Sequence, residues 1–191
     1  GSLAGQPARR AATPGLTALQ GTGWINSVFG EHGPTAAMLD EVCADIPAAL
    51  YSEDYHSVWV NSKTLELAGV TAATPDVEGG VIERDAEGNP SGTFRESAVE
   101  LVAGVIPAYT TEQLIEGLTY FQEFAHSLGL TTVYIPSLPR GDAAGLQALH
   151  DFDASGEMTI RFPTAMNVDS TDDVSIVQEI LATKAAEAGG N

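Results

Sequence analysis

The segment TTEQLIEGLTYFQEFAHSLGLTTVYI, residues 110–135, predicts one long helix followed by one buried strand. Thr110 and Gln113 form a capping box at the helix start, and Gly129 is a typical residue for a helix end. Residues 130–135 are almost continuously apolar, as in a strand that is covered on both faces. Between the two helix ends, apolar side chains recur at helical spacing: Leu114, Leu118, Phe121, Phe124, Ala125 and Leu128.

The order of elements from this helix onward predicts an α/β fold. Helices that alternate with strands are typical of parallel sheets with crossover connections. We therefore assign residues 111–191 to β/α units of the kind that build barrels, with Leu118, Phe121 and Val133 in their core. The elements predicted after the first strand are a helix, a strand and a helix, over residues 142–152, 159–168 and 172–187.

Residues 16–110 predict an inserted α+β subdomain with shorter elements. Two alternating runs, residues 80–85 and 92–96, flank a turn rich in Gly, Asn and Pro, which predicts a β-hairpin. Residues 1–15 are mostly small or polar, and we expect a flexible lead-in there. The other predicted elements are strands at residues 16–19, 48–52 and 57–60 and helices at residues 36–44, 62–68 and 97–103.

Composition and charge exclude several classes of protein. A chain of 191 residues with 43% hydrophobic and 18% charged residues is typical of a globular protein. The 26 acidic residues outnumber the 8 basic ones, and a formal charge of −18 repels phosphate backbones and anionic lipids. We therefore expect neither a nucleic-acid nor a membrane partner. The apolar runs are too short for a transmembrane helix, and the start lacks the layout of a signal peptide, so we expect a cytoplasmic protein.

Residues 51–62, YSEDYHSVWVNS, gather polar, aromatic and titratable side chains on a strand that runs into a helix. Such strand ends are where α/β proteins build ligand sites. His56 is either a site histidine that binds substrate or a structural histidine satisfied by a carboxylate, and Asp54 and Glu53 are placed to set its tautomer. Trp59 is predicted to line a substrate pocket or to pack in the core. Asn61 is predicted to contact substrate or, like Ser62, to cap the following helix.

Glu96 is the second catalytic candidate, because it ends the second hairpin strand just before a helix. Either the helix dipole favours its charge there, or its carboxylate points into a site. The sequence has no His-x-His or His-Glu-x-x-His spacing, and the single Cys43 leaves no cysteine zinc motif. We therefore predict catalytic roles for His56 and Glu96, substrate contacts for Asp54, Trp59 and Asn61, and no metal ligand within the chain.

A set of ordered sequence blocks resembles amidohydrolase family 3, the YtcJ-like branch of metal-dependent hydrolases. Some members of that branch carry the name exoenzymes regulatory protein. The match extends over roughly residues 13–168, and each block by itself is short. The blocks are Gly21-Thr22-Gly23-Trp24, Pro34-Thr35, the segment from Ser52 to Ser62, Leu67-Ala68-Gly69-Val70, Gly79-Gly80, Gly88-Asn89-Pro90-Ser91-Gly92 and Phe94-Arg95-Glu96.

The resemblance implies a (β/α)8 barrel enzyme that hydrolyses C–N bonds of non-peptide amides with zinc or another divalent metal. Its metal-binding His-x-His would precede Gly1, and a metal-bridging modified Lys and further ligands would follow Asn191. The chain would then be an interior fragment that shapes the substrate pocket and is inactive alone. His56 and Glu96 would be its polar anchors.

Two departures from the family and one alternative function accompany this resemblance. The family usually has Asp-Gly-His where this chain has Asp54-Tyr55-His56, so the backbone freedom of glycine is missing. The strand at residues 130–135 lacks the polar residue that is common near its end. The alternative is a regulatory module that binds a small ligand without turnover. For either function we expect a small-molecule ligand, and we expect exposed apolar surface to favour a homodimer.

Overall fold

Five strands form one mixed sheet in the computed structural model, which describes residues 16–138, 142–168 and 172–186. The strand order is β1-β2-β3-β5-β4; β1 pairs with β2 in parallel, and the other neighbours are antiparallel. The strands are β1 (Leu19–Trp24), β2 (Ala48–Ser52), β3 (Ser57–Val60), β4 (Gly80–Arg84) and β5 (Pro90–Glu96). The short helices between and after them are α1 (Asn26–Phe29), α2 (Ala36–Asp40), α3 (Ser62–Ala68) and α4 (Glu100–Ala103), the last preceded by a 3₁₀ turn at Ser97–Val99.

Both faces of this sheet are covered, because successive side chains of β3 enter different cores. Val58 and its cross-strand partner Phe94 lie on one face, in a cluster that also holds Ile82. Trp59 lies on the other face, opposite Leu50 of β2. All four residues of β3 are buried, so the strand that follows His56 is held rigidly between two apolar layers.

The predicted hairpin, β4–β5, and the strands predicted at residues 48–52 and 57–60 are present. Two other predicted elements of this unit have different bounds in the structure. The strand predicted at residues 16–19 begins only at Leu19, and the helix predicted through residue 44 ends at Asp40. Asn61 rather than Ser62 caps α3, because its side chain accepts a hydrogen bond from the Thr64 amide. The predicted lead-in, residues 1–15, lies outside the described residues.

The described residues form two compact units, one ending at Pro107 and the other beginning at Ala108. In the second unit, α5 (Thr111–Ser127) begins with the predicted capping box: the Thr110 side chain accepts from the Gln113 amide, and the Gln113 side chain accepts from the Thr110 amide. Strands β6 and β7 pair in parallel, and a helix connects them, as predicted for a β/α unit. The elements after α5 are β6 (Ile135–Leu138), α6 (Ala143–Ala154), β7 (Thr164–Met166) and α7 (Ile176–Ala186).

The strand predicted at residues 130–135 starts later than expected. The Leu130 amide donates to Ala125 O at 3.0 Å, so this residue closes the end of α5 instead of starting a strand. The Val133 amide donates to Arg161 O at 2.9 Å, and regular pairing begins only at Ile135. The predicted strand at residues 159–168 is likewise reduced, to Thr164–Met166.

The prediction that Phe121 lies in the core was wrong, because 37% of its surface is exposed. The buried stripe of α5 instead contains Gln122 and Ala125. Gln122 accepts from the Thr159 amide at 2.6 Å and donates to Glu157 O at 3.1 Å, which ties this face of the helix to the following segment. Leu118 and Val133 do pack against the core, which is built from Ala125, Phe152, Met158, Ile160 and Phe162.

Candidate functional site

His56 and Glu96 meet at one end of the central strand pair. His56 lies directly before β3, and Glu96 is the last residue of the antiparallel neighbour β5. The Glu96 amide donates to His56 O at 2.8 Å, which continues the pairing by one step beyond the strands. As a result, Nδ1 of His56 lies 2.9 Å from Oε2 of Glu96, with 65% and 57% of the two side chains exposed. The two predicted catalytic residues therefore form one accessible pair.

The backbone at Glu96 is strained, with φ 51° and ψ −131°. A residue other than glycine adopts such angles only where the surrounding structure enforces them, at a cost of about 1–3 kcal/mol. Two contacts hold the residues immediately after Glu96. Ser97 Oγ donates to Glu78 O at 2.6 Å, and the Ala98 backbone lies so close to Gly80 that a Cβ atom at residue 80 would collide with it. The chain therefore turns sharply at Glu96, and this turn directs the carboxylate back to His56.

Asp54 organises the loop before His56 but does not contact its ring through Nδ1. Ser52 Oγ donates to Asp54 Oδ1 at 2.5 Å, and the His56 amide donates to the same oxygen at 3.1 Å. Ser52 Oγ also accepts from the Ser57 amide at 3.0 Å, which closes the loop onto β3. The partner of Nδ1 is Glu96, so the role of setting the tautomer, predicted for Asp54, falls to Glu96.

Tyr55 takes a left-handed backbone conformation, which favours glycine. Its φ is 62°, in the left-handed region that non-glycine residues rarely adopt. Its ring is exposed and stacks on Tyr51, with ring centroids 6.0 Å apart and planes inclined by 26°. Tyr51 itself packs against the core. The turn between Asp54 and His56 thus places a residue other than glycine in the left-handed region, next to His56.

Hydrogen bonds and charge shift the pKa values at this site in opposite directions. The hydrogen bond to Glu96, and then the negative charge of that carboxylate, raise the pKa of His56 above its ordinary value. Hydrogen bonds from the Ser52 hydroxyl and the His56 amide lower the pKa of Asp54. Contact with Glu96 therefore favours the protonated form of the His56 ring. Because Nδ1 is bonded to Glu96, Nε2 is the ring nitrogen left to face a ligand.

Trp59 lies in the core, away from the His56–Glu96 pair. Only 1% of its surface is exposed, and its Nε1 donates to Thr35 O at 2.8 Å. Its ring packs on Phe29 at a centroid distance of 5.5 Å. In this arrangement the indole anchors two segments to the sheet and offers almost no surface to a substrate.

Asn61 is also fully buried, and its polar atoms bind the backbone. Its Oδ1 accepts from the Ala48 amide at 3.1 Å and from the Thr64 amide at 2.9 Å. Its Nδ2 donates to Cys43 O at 2.6 Å and to Ile46 O at 2.8 Å. Asn61 therefore satisfies backbone groups at the junction of β2, β3 and α3, which leaves its predicted contact with substrate without support from the geometry.

Sequence reasoning missed Arg95, whose guanidinium binds three separate groups beside the site. They are Oε1 of Glu83 at 2.6 Å, Oδ1 of Asn26 at 3.0 Å and the carbonyl oxygen of Glu31 at 2.9 Å. The alternation of β5 does place residue 95 on the face opposite to Phe94. Its partners, however, come from distant parts of the chain, which no local pattern reveals.

The described residues contain neither a cluster of metal-ligating side chains nor a membrane-spanning helix. Within residues 16–138, 142–168 and 172–186, no three His, Cys, Asp or Glu side chains are grouped so that they could hold a metal ion. These residues alone therefore do not fit a complete metal site. Over the same part of the chain, no helix has both the length and the apolar composition needed to cross a membrane.

Comparison with known proteins places the chain among relatives that are much longer. It is 39% identical over 102 residues to the exoenzymes regulatory protein AepA of Pectobacterium carotovorum, covering 52% of this chain and 22% of that protein. It is 34% identical over 114 residues to the putative amidohydrolase YtcJ of Bacillus subtilis, covering 59% of this chain and 22% of that protein. The chain thus spans about a fifth of the length of these curated relatives.

A solved structure and a family profile extend the likeness over nearly the whole chain. The crystal structure of an uncharacterized metal-dependent hydrolase from Pyrococcus horikoshii OT3 matches 96% of this chain and 33% of its own, with a TM-score of 0.58. At 23% identity this match shows a shared fold and nothing more. The profile of the amidohydrolase family matches residues 3–188, a range that includes both strand ends carrying His56 and Glu96. On the strength of that match, the chain belongs to the amidohydrolase family.

Proposed function

We propose that this chain is the substrate-facing segment of a metal-dependent amidohydrolase that cleaves C–N bonds of non-peptide amides. The observation that carries the proposal is the exposed pair of His56 and Glu96, with Nδ1 2.9 Å from Oε2. Family membership supplies the reaction class, and the strained backbone at Glu96 supports a functional role for this end of the sheet.

We place the chain inside a larger (β/α)8 barrel. The parallel pairing of β6 and β7 around α6 supports this placement, because such a unit is the repeating element of that barrel. The five-stranded sheet of the first unit would then be an insertion into the barrel. The limited coverage of the relatives, about a fifth of their length, also favours a larger parent protein.

In the proposed parent enzyme, residues outside this chain hold zinc or another divalent ion. A bound ion of this kind would supply an activated water and polarise the scissile carbonyl. The chain alone would bind no stoichiometric zinc and would be inactive. Measuring the zinc content and amide hydrolysis of the purified 191-residue chain tests this, and stoichiometric zinc with His56 as a ligand would contradict it.

The pair itself can act by hydrogen bonding and charge. Glu96 accepts from Nδ1–H of His56, so that Nε2–H of the imidazolium can donate to a substrate oxygen on which negative charge develops. The raised pKa of His56 keeps this donor protonated to higher pH than an ordinary histidine. Asp54 holds the loop in place through the His56 amide. His56 is thus proposed as the group that touches substrate, with Glu96 bonded to its ring.

Expression of the full reading frame, with hydrolysis assayed on a panel of N-alkyl and N-aryl amides, tests the proposed activity. Glu96→Gln should lower kcat/KM by about 10²-fold, the usual scale for a polar catalytic group. The matched control is Glu66→Gln, because Glu66 is similarly exposed, with 68% of its side chain accessible, and also pairs with a cation, Lys63. Equal effects of the two substitutions would contradict a catalytic role for Glu96.

A second candidate function is that of a ligand-binding regulatory module without turnover. It is favoured by the 39% identity to a relative whose name is exoenzymes regulatory protein. The two candidates differ in one measurable property: an enzyme converts a bound amide, whereas a module binds it and releases it unchanged. Saturable binding without product formation by the metal-loaded full-length protein would favour the module.

A further inference from the structure

Arg95, the residue that precedes Glu96, is anchored by its guanidinium to three separate groups. Its Nε donates to Oε1 of Glu83 at 2.6 Å, its Nη1 to Oδ1 of Asn26 at 3.0 Å and its Nη2 to Glu31 O at 2.9 Å. Only 23% of the Arg95 side chain and 12% of the Glu83 side chain are exposed. A guanidinium with bonds in three directions and little exposed surface has little freedom to move.

These contacts matter because Glu96 cannot hold its own conformation. Its φ of 51° is costly for a residue other than glycine, and such strain persists only where neighbouring contacts enforce it. On the C-terminal side, Ser97 Oγ binds Glu78 O. On the N-terminal side, Arg95 pairs with Ser57 and Val81 in the two adjacent strands and is bound through its guanidinium. Glu96 is therefore clamped between two anchored neighbours.

We infer that Arg95 is a positioning residue for the His56–Glu96 pair, because its anchor to Glu83 and to residues 26–31 holds the end of β5 so that the Glu96 carboxylate meets Nδ1 of His56. This inference rests on the function proposed above for that pair. Arg95 lies on the other face of the sheet from Phe94, and its guanidinium bonds Glu83, Asn26 and the Glu31 carbonyl oxygen, so its role is to place Glu96 and not to touch substrate.

A purely structural role for Arg95 predicts something different at His56. If Arg95 merely fastens residues 26–31, its loss destabilises that loop and leaves the contact between Glu96 and His56 intact. If Arg95 positions Glu96, its loss loosens that contact. His56 then loses the partner that chiefly raises its pKa, while Asp54, the other facing carboxylate, stays in place. The titration of His56 therefore separates the two roles.

The experiment is an NMR titration of His56 in the 191-residue chain, which has only 4 histidines to resolve. Glu96→Gln gives the full decrease in the His56 pKa that loss of the Glu96 charge can cause, because it removes the charge that faces the ring. Arg95→Lys keeps the positive charge but cannot form all three hydrogen bonds of the guanidinium. A change in the His56 pKa in this variant therefore reports the position of Glu96 and not a loss of charge. We expect Arg95→Lys to lower the pKa of His56 by about half or more of the shift caused by Glu96→Gln.

Arg84→Lys is the matched control. Its side chain is also 23% exposed, and its guanidinium donates to Gly88 O at 3.1 Å and Thr74 O at 2.6 Å, at the far end of the hairpin from Glu96. Arg84→Lys should leave the titration of His56 unchanged. Equal shifts in the two arginine variants, or no shift in Arg95→Lys, would overturn the inference.

A variant of the partner residue keeps the test decisive if Arg95→Lys fails to fold. Glu83→Asp keeps the negative charge but shortens the side chain whose carboxylate binds Arg95 and, through the second oxygen, His32. It should shift the His56 pKa in the same direction as Arg95→Lys, and an unchanged His56 would overturn the inference. The titration does not depend on turnover. Failure of this inference can therefore be told apart from failure of the proposed catalysis.

Discussion

His56 and Glu96 lie 40 residues apart in the sequence, yet Nδ1 of the histidine is 2.9 Å from Oε2 of the glutamate. Antiparallel pairing of β3 with β5 brings them together, and the strained turn at Glu96 aims the carboxylate at the ring. A surface pair of this kind contributes little to stability in general. Its value lies in the charge state and orientation that it imposes on the imidazole.

Replacement of His56 by Asn in the full-length protein should impair turnover more than folding. The substitution keeps polarity but removes the ionisable ring, and Val58 and Val60 continue to supply the packing of β3. We expect kcat/KM to fall by about 10²-fold while the melting temperature changes little. Measuring both on the same protein decides the matter, because a structural histidine would give a lower melting temperature with unchanged activity per folded molecule.

The stabilising effect of the pair should depend on pH in a defined direction. The folded-state pKa of His56 is raised above the ordinary value of 6.5, so the pair stabilises the folded state fully below 6.5 and loses this effect as the pH rises through the folded pKa. The difference in melting temperature between wild type and Glu96→Gln should be largest at about pH 5–6, where carboxylates remain charged. It should be small, because both side chains are mostly exposed, and it should shrink in high salt. A difference that grows above pH 7.5 or so would contradict the assignment.

Substitutions at Tyr55 should follow its backbone conformation and not its hydrophobicity. At φ 62°, Asn is tolerated well, whereas a β-branched residue is strongly disfavoured. We expect Tyr55→Val to destabilise the chain by about 1–2 kcal/mol more than Tyr55→Asn in urea unfolding. Both variants lose the stacking on Tyr51, so that contribution cancels in the comparison. Equal stabilities of the two variants would show that the turn does not need a left-handed residue.

Two phenylalanines of the second unit should differ sharply when each is replaced by alanine. Phe152 is fully buried, and Phe152→Ala should cost about 3–5 kcal/mol in the free energy of unfolding. Phe121, which is 37% exposed and touches Phe162 at a ring distance of 6.1 Å, should cost clearly less. Chemical denaturation of both variants measures this, and a larger loss for Phe121→Ala would show that the buried face of α5 is misassigned.

Exposed apolar side chains on α5 should promote self-association of the chain. Tyr120 and Phe124 on α5 and Leu128 at its C-terminal cap are all exposed, and they are spaced at four residues. The formal charge of −18 opposes association, so we expect a dimer to become stronger as salt screens that repulsion. Sedimentation at low and high salt tests this. Phe124→Glu should weaken the association, whereas a monomer at high concentration and high salt would contradict it.

Local sequence patterns determined those parts of the protein that depend on residues close together in the chain. The capping box of Thr110 and Gln113, the β4–β5 hairpin and the strand from Ser57 to Val60 all follow from side chains a few residues apart. The polar cluster around His56 and the ordered blocks that resemble the family were also visible without a structure. Propensity, capping and turn chemistry act over this short range, which is why these predictions succeed.

Tertiary structure alone decided which of several plausible faces and partners each side chain uses. The apolar residues of α5 cover more than one stripe, and the buried one is the face on which Ala125 packs in the core and Gln122 bonds residues 157 and 159. Asn61 carries the same amide whether it binds a substrate or, as here, the backbone of Cys43 and Ala48. The pairing of Glu96 with His56 and the anchoring of Glu96 through Arg95 arise from strand register and loop closure between residues 26 and 96. These depend on contacts far apart in the chain, and no local pattern encodes them.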